Sequence, residues 1–165
     1  MPAPIIAESE AFVAQRVAML TTVFRAIGET RMRGVPVLHP ALCVEAVAFE
    51  AVDDGAFGIL ITPWFMNLMW LPFNDAEAVP AGTTRVRELG GERLEFIGAL
   101  EPSFGAYEMC SLFSPMSDFA DQDAARETAG EVLRLLRRAL PKPDVPLVPS
   151  RRAFLTGRFG GKERA

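Results

Sequence analysis

Residues equipped for covalent or metal chemistry are few in this chain. The only histidine is His39, in the loop "RMRGVPVLHP". Cys43 follows four residues later, and Cys110 stands alone. A metal centre needs several ligands at short, regular spacing, and none is arranged that way. His39 therefore reads as a turn or surface residue. Cys43 and Cys110 read as small hydrophobes in a reduced protein, because an unactivated thiol is more often packing than nucleophile. Acid pairs such as Glu45 and Glu50 occur in any domain and specify no reaction. No glycine-rich loop has phosphate-binding spacing. The sequence predicts no enzyme and no cofactor. A thiol enzyme using Cys43 or Cys110 is the least favoured alternative.

Two stretches stand out for binding rather than catalysis. One is "TPWFMNLMWLP", residues 62–72, and the other is "GAYEMCSLFSPMSDFADQ", residues 105–122. Aromatic and methionine side chains at bends suit a surface that grips varied apolar peptides, since methionine is flexible and polarizable. The candidate partner surface comprises Trp64, Phe65, Met66 and Asn67 at a proline bend. Tyr107, Glu108 and Phe113 belong to it from the last strand. Ser114, Pro115, Met116, Asp118, Phe119, Asp121 and Gln122 complete it from the junction that follows. Core packing is the favoured reading for Leu68, Leu71, Met109 and Leu112, inside the expected strands, and helix capping accounts equally well for Asp118 and Asp121. A second possibility for the same surface is a cavity carrying a small apolar ligand.

The elements that must position these residues follow from periodicity. Val13, Val17, Leu20, Phe24 and Ile27 form one apolar stripe, which predicts a helix over 9–28, capped by Ser9 and ended by Gly28. Strands are expected at 44–52, 57–61, 67–71, 83–89, 93–100 and 106–113. Asp53-Asp54-Gly55 and Gly90-Gly91 are hairpin signals between them. A second helix is expected over 118–140, with acids at its start, arginines at its end and Pro141 as its stop. Residues 55–74 carry no charge, but Pro63 and Pro72 interrupt them, so buried strands are expected rather than a membrane span. The fold class is α+β: a mainly antiparallel sheet of five or six strands, built from consecutive hairpins, with an N-terminal and a C-terminal helix on one face. Residues 1–141 form one domain. Residues 142–165 form a Pro-rich linker and a basic tail.

Net charge sharpens the partner class. The chain carries −4 overall, but residues 142–165 hold six basic side chains against two acidic ones. The tail is thus +4 and the body −8. An acidic body argues against nucleic acid and favours basic peptides. "MPAPIIAESE" has neither a basic start nor a long apolar run, so no export signal is read there, and a cytoplasmic location is expected.

The blocks "VPVLHPALCVEAVAF", "GILITPWFMNLMWLP", "LEFIGA" and "YEMCSLFSPMSDFADQ" resemble, in order, those of the HybE/HupJ family of [NiFe]-hydrogenase maturation chaperones. They cover roughly residues 35–130. The resemblance implies a cytoplasmic accessory protein that holds the hydrogenase's iron–sulfur small subunit before export. It also implies recognition of that subunit's twin-arginine signal peptide and help in joining it to the large subunit. Some relatives are linked to rubredoxin, but this chain has no Cys-x-x-Cys pair for such an iron site.

The tail adds one more reading. "SRRAFL", residues 150–155, copies the basic start of a twin-arginine signal without the long apolar stretch that follows in a working one. Arg151, Arg152, Phe154 and Leu155 are expected to act as a tethered stand-in for the client peptide. The arginines would meet carboxylates such as Glu108, Asp118 or Asp121. Four prolines precede the motif, and a stiff linker of about 3 Å per residue lets it cross the domain or reach a second subunit as a swapped dimer.

Overall fold

The computed structural model describes the backbone of residues 3–138 and the side chains of residues 8–138. Helix α1 spans Ala3–Glu29, and helix α2 spans Gln122–Leu136. Between them lie six strands: β1 Glu45–Val52, β2 Gly55–Ile61, β3 Met66–Pro72, β4 Thr84–Leu89, β5 Glu92–Glu101 and β6 Gly105–Phe113. All pairings are antiparallel, in the order β1-β2-β3-β6-β5-β4. The expected α+β class is therefore observed.

Two expectations are corrected. The strands are not a chain of consecutive hairpins. After β3 the chain crosses to the far edge, makes β4, and returns through β5 so that β6 inserts beside β3. Nor do the helices share a face. Phe57, Ile59, Ile61, Met66, Leu68, Trp70 and Phe96 pack with Ala125, Ala129 and Leu133 of α2. Ala56, Leu60, Met69 and Leu71 pack with Val13, Leu20 and Phe24 of α1 on the opposite side. The reason is visible in β2 and β3, where every residue is buried. A strand apolar on both faces needs a cover on each, and continuous runs such as "FGILI" are the mark of that environment.

The helix boundaries also shift. Ser9 lies inside α1, whose first turn tolerates Pro4 because the opening N–H groups of a helix have no intrahelical partner. Gly28 does not end α1. A Cβ there would stand 3.3 Å from the Trp64 ring, so the glycine makes a seat for that indole. Helix α2 begins after Asp121, whose side chain accepts from the Ala124 amide at 2.9 Å.

The sheet curls around α2. Arg137, at the end of α2, donates to the carbonyls of Ala48 and Phe57 at 2.6 and 2.9 Å. A Cβ on Gly90, in the β4–β5 turn, would lie 2.6 Å from the Leu136 carbonyl oxygen. Opposite regions of the sheet thus approach the same helix end. No helix among the described residues is long and apolar enough to cross a membrane. The tail residues Arg151, Arg152, Phe154 and Leu155, and the whole of 142–165, lie outside the described residues.

Candidate functional site

The proline bend is a tight turn between β2 and β3. Buried Thr62 organises it. Its hydroxyl oxygen accepts from the amides of Trp64 and Phe65 at 3.2 and 2.9 Å, and its own amide donates to the Phe65 carbonyl at 2.8 Å. The turn lays Trp64 and Phe65 against α1. Trp64 stacks on Phe24 with centroids 6.4 Å apart, and Phe65 meets Phe24 edge-on at 5.7 Å. Both remain half-buried.

The second segment caps the other face. Phe113 meets Phe119 edge-on at 5.0 Å, and Met116 is fully buried. Ser114, Pro115, Asp118 and Asp121 are exposed. The Gln122 side chain accepts from the Cys43 amide at 2.9 Å and donates to Glu45 at 2.8 Å. Arg126 completes that cluster through Glu45 at 2.8 Å. The Arg126 hydrogen bond is the main reason the Glu45 carboxyl is held below its ordinary range, with the Gln122 bond adding to it.

The two segments are joined at one end of the sheet. Met66 pairs directly with Phe113. His39 forms the second link: its amide donates to the Pro63 carbonyl at 2.8 Å, and Nε2 lies 2.7 Å from the Phe119 carbonyl. A carbonyl only accepts, so Nε2 carries a proton, while Nδ1 accepts from the Ala41 amide at 3.1 Å. Both ring nitrogens are thereby used. His39 is a latch between distant loops, a role that no local pattern could announce.

The fourteen predicted surface residues do not form one patch. Trp64, Phe65 and Tyr107 belong to the α1 side, whereas Met66, Phe113, Met116 and Phe119 belong to the α2 side. Met66, Asn67, Tyr107, Glu108, Met116 and Phe119 are buried. Burial raises the Tyr107 hydroxyl pKa. Glu108 is bound by Arg87 through two hydrogen bonds of 3.1 and 2.9 Å, with Arg85 3.8 Å away. Arg87 also lies over the Trp70 ring at 3.7 Å. Glu108 is thus a sheet-interior counterion rather than an accessible carboxylate. Where the two segments meet, Met66 and Phe113 pack into the core on the α2 side. The open space is a cleft of about 300 Å³ beside this junction, lined by Trp64, Pro63, His39, Leu38 and the α1 residues Arg25 and Glu29.

Cys43 is exposed and Cys110 half-buried. Burial, then the charge of Glu95, pushes the Cys110 thiol pKa up, away from the thiolate a nucleophile needs. Among the described residues no group of three or more His, Cys, Asp or Glu is placed to hold a metal ion. A larger groove, about 730 Å³, lies between α1 and the edge strand β1. Sequence reading missed it because its walls are distant in the chain and individually unremarkable.

Comparison with known proteins agrees with this architecture. Residues 15–157 match the family described as "[NiFe]-hydrogenase assembly, chaperone, HybE". The chain is 49% identical to Protein HoxT of Cupriavidus necator, over 93% of this chain and 95% of that protein. It is 40% identical to the hydrogenase expression/formation protein HupJ of Bradyrhizobium diazoefficiens, over 84% of this chain and 86% of that one. The solution structure of HybE from Escherichia coli superimposes with a TM-score of 0.61 at 22% identity, over 81% of this chain and 84% of that one, a likeness of fold. The chain belongs to the HybE family of [NiFe]-hydrogenase assembly chaperones.

Proposed function

We propose that the chain is a non-catalytic cytoplasmic chaperone that holds the iron–sulfur small subunit of a [NiFe]-hydrogenase by its twin-arginine signal peptide. It keeps that subunit from premature export and helps coordinate its joining to the large subunit. The observation that carries this reading is the end of the sheet where His39 latches the Trp64 turn to the Phe119 segment. There an apolar wall of Trp64, Pro63 and Leu38 adjoins the carboxylate of Glu29, with exposed Asp118 and Asp121 on the neighbouring segment.

A twin-arginine signal pairs guanidinium groups with apolar side chains, and such a peptide needs carboxylates beside grease. The −8 body attracts it at long range. Arg25 lies one turn before Glu29 on the same face of α1, and its charge favours a pose in which the arginines approach from the Asp118 side. Exposed Ser114 and Pro115 border that approach, whereas buried Met66, Met116 and Phe119 shape the surface from beneath.

The test is co-purification with a tagged small subunit in hydrogenase-producing cells. A Trp64→Ala, Asp118→Lys double variant is expected to keep its fold by circular dichroism and lose capture of the subunit by about tenfold or more, as truncation of a central aromatic anchor predicts. Undiminished capture by a folded variant would overturn this placement of the site.

A further inference from the structure

A groove of about 730 Å³ between α1 and β1 is distinct from the Trp64 cleft. Val13 and Val17 of α1 and Ala46 and Phe49 of β1 form its apolar floor, with Glu10 and Glu50 on its rim. It runs beside β1, the edge strand of the sheet. An apolar recess of about 730 Å³ bordered by carboxylates suits a short segment that is both apolar and cationic.

This chain carries such a segment, and leaves the described region beside the groove. Arg137 is fixed to the Ala48 carbonyl of β1 and approaches Glu50 at 3.4 Å. Beyond Arg138 come twelve residues, 139–150, containing four prolines, and then "RRAFLTGRF". An extended Pro-rich spacer of that length reaches about 37 Å, enough to pass around the edge of one sheet layer. We infer that the α1–β1 groove is the intramolecular docking site of residues 151–159. Phe154, Leu155 and Phe159 cover its floor. The arginines of the segment meet Glu10 and the outer side of Glu50, whose other neighbour is Arg137.

This docking is independent of any client. The tail is tethered at an effective concentration on the order of millimolar, so a contact too weak to hold a free peptide still keeps the groove covered. It also assigns the tail to a surface other than the Trp64 cleft. The tail then leaves the cleft free and shields apolar surface that would otherwise invite association.

The experiment uses the full chain. Cys43→Ser and Cys110→Ser make a Gly160→Cys nitroxide label unique, and amide signals report which residues the label approaches. Signal loss is expected at Ala14, Val17, Ala46 and Ala51, and is expected to weaken as salt is raised. Ala14→Arg, at an exposed position of the groove wall, is expected to restore those signals without lowering the melting temperature. Loss centred on Leu38, His39 and Trp64, or spread evenly, or absent, would overturn the inference. So would loss appearing only when labelled and unlabelled molecules are mixed, since the occupant would then be a second copy.

Discussion

Removing Arg87 is the sharpest test of how the sheet interior is held together. The Glu108 side chain is 1% exposed, and Arg87, 12% exposed, supplies both of its hydrogen bonds. Arg85 is 35% exposed and 3.8 Å away, too far and too solvated to replace them. Arg87→Ala therefore leaves a nearly bare buried carboxylate and uncovers Trp70. Breaking such a pair costs about 3–5 kcal/mol. For a domain of this size that corresponds to a melting-point loss of roughly 10–20 °C. Replacing both members by apolar residues of similar volume, Arg87→Met with Glu108→Leu, removes the uncompensated charge and is expected within about 1 kcal/mol of the parent, or above it. Urea denaturation of the parent, Arg87→Met, Glu108→Leu and the double gives the coupling directly. Arg87→Ala unfolding within about 1 kcal/mol of the parent would refute the reasoning, as would a double variant that loses as much as the two singles together.

Other consequences follow from close packing, capping and charge. Gly58→Ala places a Cβ 2.5 Å from the Phe49 ring and 2.9 Å from its Cα, and is expected to destabilise by about 1–3 kcal/mol in the same urea assay. Asp121→Ala removes the N-cap of α2 and should cost about 1 kcal/mol, read as a lower thermal midpoint. The Glu45 carboxyl is lowered chiefly by its Arg126 hydrogen bond. Its contribution is therefore fully present above the unfolded carboxylate pKa of about 4.3, and is lost as pH falls through the lower folded value. The melting-point gap between the parent and Glu45→Gln should be constant near neutrality and close in strong acid. A gap unchanged down to the lowest pH at which the protein folds would contradict the assignment.

Much of the fold was legible because its signals are local. The apolar stripe from Val13 to Ile27 marks α1, and the Gly90-Gly91 pair marks the β4–β5 hairpin. What sequence could not supply was long-range. Insertion of β6 between β3 and β5 depends on which edges remain free after the first hairpins form, and no residue pattern states it. The placement of the helices does have a cue in the sequence: apart from Asn67, β2 and β3 carry no polar side chain, so both of their faces must be covered.

The candidate surface was harder to read. Neighbouring residues in a strand point to opposite faces, so Asn67 and Met66 cannot serve one patch although they are adjacent in sequence. Glu108 looked available until its partner Arg87, on a distant strand, was in view. His39 was read as a turn residue, and its role as a latch depends on a carbonyl eighty positions away. The α1–β1 groove arises only when two ordinary faces are set side by side.

The most direct test of the central claim is a calorimetric titration of the purified chain with the hydrogenase small subunit, carried out with its signal peptide intact, with the arginine pair changed to lysine, and with the peptide removed. Tight binding to the intact form, weakened by the lysine pair and lost on removal of the peptide, is the predicted result. Equal affinity for all three forms would contradict recognition through the signal peptide.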